Sequence, residues 1–275
     1  MESLPLIMSS SSPLQQSSEL PIKELLFSGG AGALNYEMGF TQSLLELLGK
    51  DKLKEYKLGG VSAGAACACY LHSAIHSDFD LKYWYQTSGR RFYEPPNKRF
   101  FGFFTNSDLI YNLSREFYRF CKDNGIPDWN GIFHCTMTNI SGFSIEKMIV
   151  DSFTDELDFA NAIKSSCFIP GITSLGLFST HHGKKVLDGG VTSGIPYKYD
   201  DSEKVFINVL PDMWPFVREI PKNTTFLNIH EEYNLNFPMD YWLWKETWAD
   251  EMFLKGYLAG IKMKSQIFVA FKVNE

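Results

Sequence analysis

The chain has 275 residues and a formal net charge of −6, and is 44% hydrophobic, 15% aromatic and 21% charged, a globular balance sufficient for one large domain or two small ones. An acidic surplus with no recognisable base-reading motif argues against a nucleic-acid binder. No run approaches the ~20 apolar residues of a membrane-spanning helix, and the five cysteines, odd in number and without CxxC spacing, read as free or buried thiols rather than disulfides or a zinc site.

In chain order, residues 1–20 lack a basic lead, a long apolar stretch and any arginine, so they read as a disordered polar tail and not a secretory signal or transit peptide. One domain is expected over residues 21–275, because no linker or repeat divides them. Ile22–Phe27 reads as a short buried strand. Met38, Phe40, Leu44, Leu45, Leu47 and Leu48 then recur at helical spacing, with Gly49 as the expected stop. Tyr56–Val61 is a second strand, and the small residues from Gly64 to Cys69 predict a helix that packs closely. This order of strand, glycine turn, helix, strand, sharp turn and helix marks an α/β layered fold. Further on, Asp108–Cys121 predicts a helix, Gly131–Thr138 a strand, and Phe159–Cys167 a short helix ending before Pro170. Lys185–Leu187 leads into Asp188-Gly-Gly, Lys204–Leu210 and Asn223–Ile229 read as strands, and Tyr241–Lys264 as an aromatic-rich terminal helix.

Two stretches offer chemistry. Gly60-Val-Ser-Ala-Gly64 fits G-x-S-x-G, a serine on a tight strand-to-helix turn whose small neighbours leave its oxygen open to a substrate. The following helix aims its N-terminal dipole and free amides at the same place. Phe27-Ser-Gly-Gly-Ala-Gly-Ala-Leu-Asn-Tyr-Glu-Met-Gly39 presents further amides to negative charge. It begins the dinucleotide fingerprint, but Asn35 stands at the third glycine position. No Gly-Lys-Ser/Thr follows, which excludes a P-loop.

A serine needs a base. Of six histidines, His72 and His76 lie on the helix after the serine and point away from it, His181 and His182 read as surface, and His134 as a core residue. His230, at a strand end, is the one histidine in the chain order of a Ser-Asp-His hydrolase. Asp188-Gly-Gly190, an aspartate at a strand end with unobstructed backbone around it, is the other candidate base.

Together these residues resemble the patatin-like phospholipases. The glycine loop Gly29-Gly30-Ala31-Gly32, the turn Gly60-Val-Ser-Ala-Gly-Ala65 and Leu187-Asp-Gly-Gly190 stand in the family's order, and the resemblance extends from about Glu24 to Leu210. Ser165-Ser-Cys-Phe-Ile-Pro-Gly171 and the continuation from Asp188-Gly-Gly to Pro196 are similar to the family's flanks. The spacing of Tyr36 and Gly39 is closest to the adiponutrin and triglyceride-lipase branch. The resemblance implies a three-layer α/β fold, with a mostly parallel central sheet flanked by helices. It implies a serine–aspartate dyad without catalytic histidine, Ser62 as nucleophile and Asp188 as base, no metal and no cofactor. It places Gly60 and Gly64 in the nucleophile turn, Gly189 and Gly190 in the aspartate loop, and the oxyanion-hole amides at Gly29, Gly30, Ala31, Gly32 and Ala63. The loop departs from the family's common Gly-Gly-Gly-x-Arg/Lys-Gly: the third glycine is Ala31, the basic position Ala33 and the last glycine Leu34. The missing cation argues against a preference for phosphate-bearing substrates.

The implied activity is acyl hydrolysis of phospholipid or glycerolipid carboxylic esters at a transient membrane or lipid-droplet surface, by a cytoplasmic protein. Arg90–Phe104, which mixes Arg90, Arg91, Lys98 and Arg99 with six aromatic residues, reads either as a lipid-interface segment or as rings that complete the core beneath solvated charges. The competing expectations are a non-catalytic lipid-binding protein that keeps the fold, and a histidine-dependent α/β-hydrolase using His230.

Overall fold

Contiguous apolar residues suit a strand covered on both faces, and Leu25, Leu26 and Phe27 are all fully buried in β1 (Lys23–Phe27), near the middle of the sheet. The computed structural model describes residues 21–80, 82, 91, 98–99, 104–105, 107–211, 220–235 and 246–274. The expected tail 1–20, all but four positions of the 90–104 segment and the 237–244 aromatics lie outside the described residues.

The remaining strands are β2 (Tyr56–Val61), a short ribbon of β3 (Lys98–Arg99) and β4 (Phe104–Thr105), β5 (Phe133–Ser141), β6 (Ser144–Val150), β7 (Ser179–His181), β8 (Lys184–Asp188), β9 (Glu203–Asn208) and β10 (Thr224–Asn228). The helices are α1 (Leu34–Leu53), α2 (Ala63–His76), α3 (Ser107–Asp123), α4 (Glu156–Ser166), α5 (Glu246–Lys262) and α6 (Lys264–Ala270). Eight strands form one sheet in the order β10-β9-β1-β2-β5-β8-β7, with β6 also on β5. The pairs from β10 to β5 are parallel, and those of β5 with β6 and β8, and of β7 with β8, are antiparallel. This is a mixed α/β fold with helices flanking a central sheet.

The two sheet faces differ in chemistry. Leu25, Phe27, Leu58, Phe133, Val205 and Ile207 share one continuous core with residues of all six helices. Leu26 and Phe206 face the other way, beneath Ile195 and Tyr197. That second face also buries Glu24, whose carboxylate accepts hydrogen bonds from the amides of Lys198 at 2.9 Å and Tyr199 at 3.4 Å and from the Ser202 hydroxyl.

Strands and helices fall close to the places expected of them, with instructive differences. Gly49 stops the first helical run as expected, at φ 73°, ψ 162°, but a second short run follows it to Leu53, and the two together make up α1. α4 starts at Glu156 because Asp155 caps it, accepting from the amides of Leu157 at 2.8 Å and Asp158 at 2.9 Å. β6 was not foreseen, since Ser144-Ile-Glu-Lys-Met-Ile-Val150 lies along an edge and is largely half-buried or exposed.

The register of β5 matters most for the site. β6 takes one edge of β5 from Cys135 to Ser141. The other edge is shared: β2 pairs with it up to Val61 opposite Thr136, and β8 runs in from the opposite direction to end at Asp188 opposite Met137. The C-terminal ends of β2 and β8 therefore meet head-on at adjacent positions of one strand.

Close helix packing holds this frame. α1 and α5 approach so tightly that a Cβ at Gly39 would lie 1.9 Å from the Phe253 carbonyl oxygen, and one at Gly256 would lie 1.8 Å from that of Tyr36. Neither contact can be relieved by a side-chain rotation, because both obstacles are backbone. Gly256→Val is expected to force the two helices apart and destabilise the chain by about 3 kcal/mol, read as a fall of several degrees in Tm by circular dichroism.

Candidate active site

Ser62 follows β2 directly and precedes α2 with φ 55° and ψ −125°, a conformation that costs a non-glycine residue on the order of 1–3 kcal/mol. Its neighbours explain how the chain turns so sharply. A Cβ on Gly60 would meet the Gly64 carbonyl oxygen at 2.3 Å, and one on Gly64 would meet that of Ser28 at 2.3 Å. The turn thus closes on itself and on the glycine loop after β1. The first helical bond of α2 runs from the Ala65 amide to the Ser62 carbonyl at 3.0 Å, leaving the Ala63 amide ahead of it.

The glycine loop lies against the serine: a Cβ on Gly29 would be 3.1 Å from Ser62 Cβ. Ser28 anchors the loop, its amide donating to Ile207 O at 3.0 Å and its hydroxyl accepting from Val209 N at 2.9 Å. A short 3-10 turn, Ala31–Ala33, opens with a bond from the Ala33 amide to the Gly30 carbonyl at 2.8 Å. The amides of Gly30, Ala31 and Gly32 lie ahead of that bond, where helix starts leave donors for an outside acceptor. Ala31 holds φ 46°, the conformation in which glycine is usual. Ala33, at the family's basic position, is fully buried, so a long cationic side chain has no room there.

Asp188 ends β8 and is 6% exposed, against 8% for Ser62. Its backbone is fixed at both ends: its amide donates to Phe168 O at 2.8 Å, and its carbonyl accepts from Thr138 Oγ1 at 2.8 Å. Carboxylate Oδ1 accepts from the Gly190 amide at 2.8 Å, while Oδ2 is buried without a hydrogen-bond partner. Burial pushes the carboxyl up to about 6, with the Ser62 hydroxyl and the Gly190 amide pulling in the opposite direction. The Ser62 hydroxyl is thus close enough to influence the carboxyl, while Oδ2 accepts no hydrogen bond.

Three neighbours were not singled out in the sequence. The Ser166 hydroxyl accepts from the Ser62 amide at 3.0 Å and donates to Thr136 O at 2.7 Å, fastening the turn to β5. The Cys167 thiol stands beside both groups: burial and the Asp188 charge raise its pKa, and the Ser62 hydroxyl lowers it. Thr138 holds the aspartate carbonyl. The sequence signal for the first two was the small-residue run Ser165-Ser-Cys ahead of Pro170; Thr138 had none.

The histidines fall elsewhere. His230 occupies the turn after β10, and β10 lies three strands from β2, about 14 Å at ~4.8 Å per strand. His134 is a core residue as expected, its ring against Pro196 O at 2.6 Å. His181 corrects the surface reading: it is 2% exposed. His182 is exposed, as expected, and pairs with Asp158 at 2.7 Å. All five cysteines are free thiols.

Ser166→Ala leaves the Ser62 amide and the Thr136 carbonyl unpaired. We expect a loss of about 1–3 kcal/mol in thermal unfolding, with Ser166→Thr keeping part of it.

A sequence model of the patatin-like phospholipases matches residues 25–201, which include Ser62 and Asp188. The human omega-hydroxyceramide transacylase is 26% identical over 171 residues, 62% of this chain and 31% of that protein, and the mouse protein of the same name is 23% identical over 174 residues, 63% and 28% respectively. The chain thus spans about a third of the length of these relatives. Among solved structures, VipD from Legionella pneumophila is similar in fold, with a TM-score of 0.50 over 90% of this chain and 67% of that one at 12% identity. With a match across well over half of its length, the chain belongs to the patatin-like phospholipase family.

Proposed function

We propose that the chain is a serine lipid acyl hydrolase in which Ser62 is the nucleophile and Asp188 the base. The observation that carries this is the head-on meeting of β2 and β8, which brings a strained serine and a buried, unpaired carboxylate oxygen to one place. Ser62 Oγ attacks the ester carbonyl carbon and its proton passes to Asp188. The negative charge formed on the carbonyl oxygen is met by backbone amides from Gly29–Gly32 and Ala63, each donor worth roughly 3 kcal/mol. Collapse expels the alcohol, which takes the proton from Asp188 and leaves an acyl-serine. Water, deprotonated by Asp188, then attacks the acyl-serine, the proton returns to Ser62, and the fatty acid is released. The sequence needs no histidine, metal or cofactor.

A carboxyl near pKa 6 is a stronger base than a free aspartate and is still ionised at pH 7. The substrate class is the carboxylic esters of phospholipids or glycerolipids. The buried Ala33 supports neutral glycerolipids, because the loop carries no cation for a phosphate. With the Tyr36 and Gly39 spacing, this supports placement beside the adiponutrin and triglyceride-lipase branch. The relatives' name supports a second outcome for the same acyl-serine: transfer to a lipid alcohol in place of water.

We also propose that the chain meets lipid surfaces peripherally, from the cytoplasm. Among the described residues no helix is long and apolar enough to cross a membrane. The segment after Phe168, whose carbonyl holds the Asp188 amide, carries Leu175 at 66% exposure and Leu177 at 78%, followed by Phe178 with Lys185 Nζ 4.6 Å above its ring. Apolar side chains and an adjacent cation suit the boundary of a lipid layer.

In a lipid-panel assay, Ser62→Ala is expected to lower turnover at least ~10³-fold; equal release by variant and wild type would end the hydrolase reading. Wild-type activity should climb through pH 6 as Asp188 ionises. Stability moves the other way. Asp188 binds its proton near pH 6 when folded and near its ordinary 3.8 when unfolded, so the folded state holds more protons between those values and loses stability as pH rises through them. Above pH 6 the full penalty stands, on the order of 3 kcal/mol. Asp188→Asn should therefore abolish activity yet raise Tm at pH 7 relative to wild type, with the gain vanishing below pH 4. Leu175→Ser with Leu177→Ser should weaken flotation with vesicles without changing hydrolysis of a short soluble ester.

A further inference from the structure

Among the described residues, a cluster outside the candidate active site has no role in the proposed reaction and is poorly explained by packing alone. His181 ends β7 and His182 begins the two-residue turn to β8, with positive φ of 48° at His182 and 74° at Gly183. Consecutive strand residues ordinarily point to opposite faces. The left-handed turn instead lays the two rings together, with centroids 4.2 Å apart and planes 24° from parallel. Facing them from the first turn of α4 is Asp158, whose Oδ1 meets His182 Nε2 at 2.7 Å. One ligand atom from each of the three residues can be chosen so that all lie within 4.8 Å of one another.

A surface ion pair accounts for His182 and Asp158, but not for His181. That imidazole is 2% exposed, and both ring nitrogens are buried without a hydrogen-bond partner. A neutral imidazole has one N–H and one lone pair, so both are desolvated here with nothing in return. Meanwhile Asp158 Oδ2 is steadied by the amide of Thr154 at 3.0 Å and its hydroxyl at 3.2 Å, the kind of outer support that metal-bound carboxylates have.

We propose that His181, His182 and Asp158 form a zinc site that fastens the β7–β8 hairpin to α4. Two imidazoles and a carboxylate are a borderline donor set that suits Zn²⁺ better than Mg²⁺ or Ca²⁺, with water completing a tetrahedron. Bonds of about 2.0 Å need ligand atoms roughly 3.3 Å apart, so the His182–Asp158 bond opens slightly while the wider separations close. Lys184, pairing across the hairpin from His181, opposes the ion and limits its affinity. The site is structural: the four steps from Lys184 to Asp188 span about 13 Å of strand at ~3.3 Å per step. It nonetheless grips both elements that end in the candidate active site, since α4 finishes at Ser166 and β8 at Asp188.

The test is Zn²⁺ titration of chelator-stripped protein by calorimetry, together with Co²⁺ titration followed by visible absorption. We expect one ion per chain, a tetrahedral Co²⁺ spectrum in the wild type, and a Tm higher by about 5 °C at a Zn²⁺ excess of a hundred times Kd. Affinity should fall at least tenfold in His181→Ala and in Asp158→Asn, the latter retaining an oxygen for Thr154. No uptake, an octahedral Co²⁺ spectrum, or equal affinity in folded variants would overturn the proposal. The wild-type spectrum decides even if a variant fails to fold, and no readout involves hydrolysis, so the outcome is independent of the serine–aspartate reading.

Discussion

Everything at the candidate active site depends on two strands arriving from opposite directions at one edge of β5. Val61 pairs with Thr136 and Asp188 with Met137, so the last residues of β2 and β8 are neighbours by register and not through loop flexibility. Parallel pairing alone would have placed a strand's C-terminal end beside other C-terminal ends in a row, several ångströms apart in the hydrogen-bonding direction. The antiparallel entry of β8 turns that row into a head-on meeting. Ser62, just past the end of β2, and Asp188, the last residue of β8, are thereby brought next to each other.

The arrangement is costly, and the costs are visible next to the features that hold them. Ser62 is locked at positive φ, Asp188 is buried with one oxygen unpaired, and Ala31 occupies a glycine conformation. Against these stand Ser166 on the serine amide, Phe168 and Thr138 on the aspartate backbone, and Ser28 on the glycine loop. Segment 165–168 is the shared clamp, since it grips Ser62 through a side chain and Asp188 through a carbonyl. Strain at a site persists only where its surroundings over-determine it, and here Ser166, the last residue of α4, and Phe168, two residues on, restrain both groups, with Thr138 and Ser28 adding to them.

How much of this was legible in the sequence follows from which interactions are local. The turn at Ser62, the Asp188-Gly-Gly loop and the strands up to β2 were readable because glycine spacing and contiguous apolar runs encode them locally. Ser166 could not be assigned, because its role exists only once Thr136 and the Ser62 amide, 30 and 104 residues away in sequence, lie on either side of it. β6 escaped because a strand on one edge, exposed for much of its length, needs no strong alternation. His181 was misread for a related reason: its polar neighbours in sequence suggested a surface turn, while its burial comes from α4, more than fourteen residues upstream. The sequence patterns identified candidate groups, and long-range packing determined their environments.

A lysine or arginine at position 33 would need a path to solvent, but Ala33 is fully buried under the first turn of α1, and a Cβ on Gly30 would already sit 3.4 Å from its methyl group. Removing the cation and closing the space are therefore one change, and Leu34 packs on the same core beside it. The loop keeps its amides ahead of the first helical bond, where the proposed reaction would need them, and carries no cation for a phosphate. On the proposed mechanism, substitutions at 33 and 34 would therefore act on which lipid settles above Ser62, whereas those at Gly29, Gly30 and the strained Ala31 would act on the charge formed during acyl transfer.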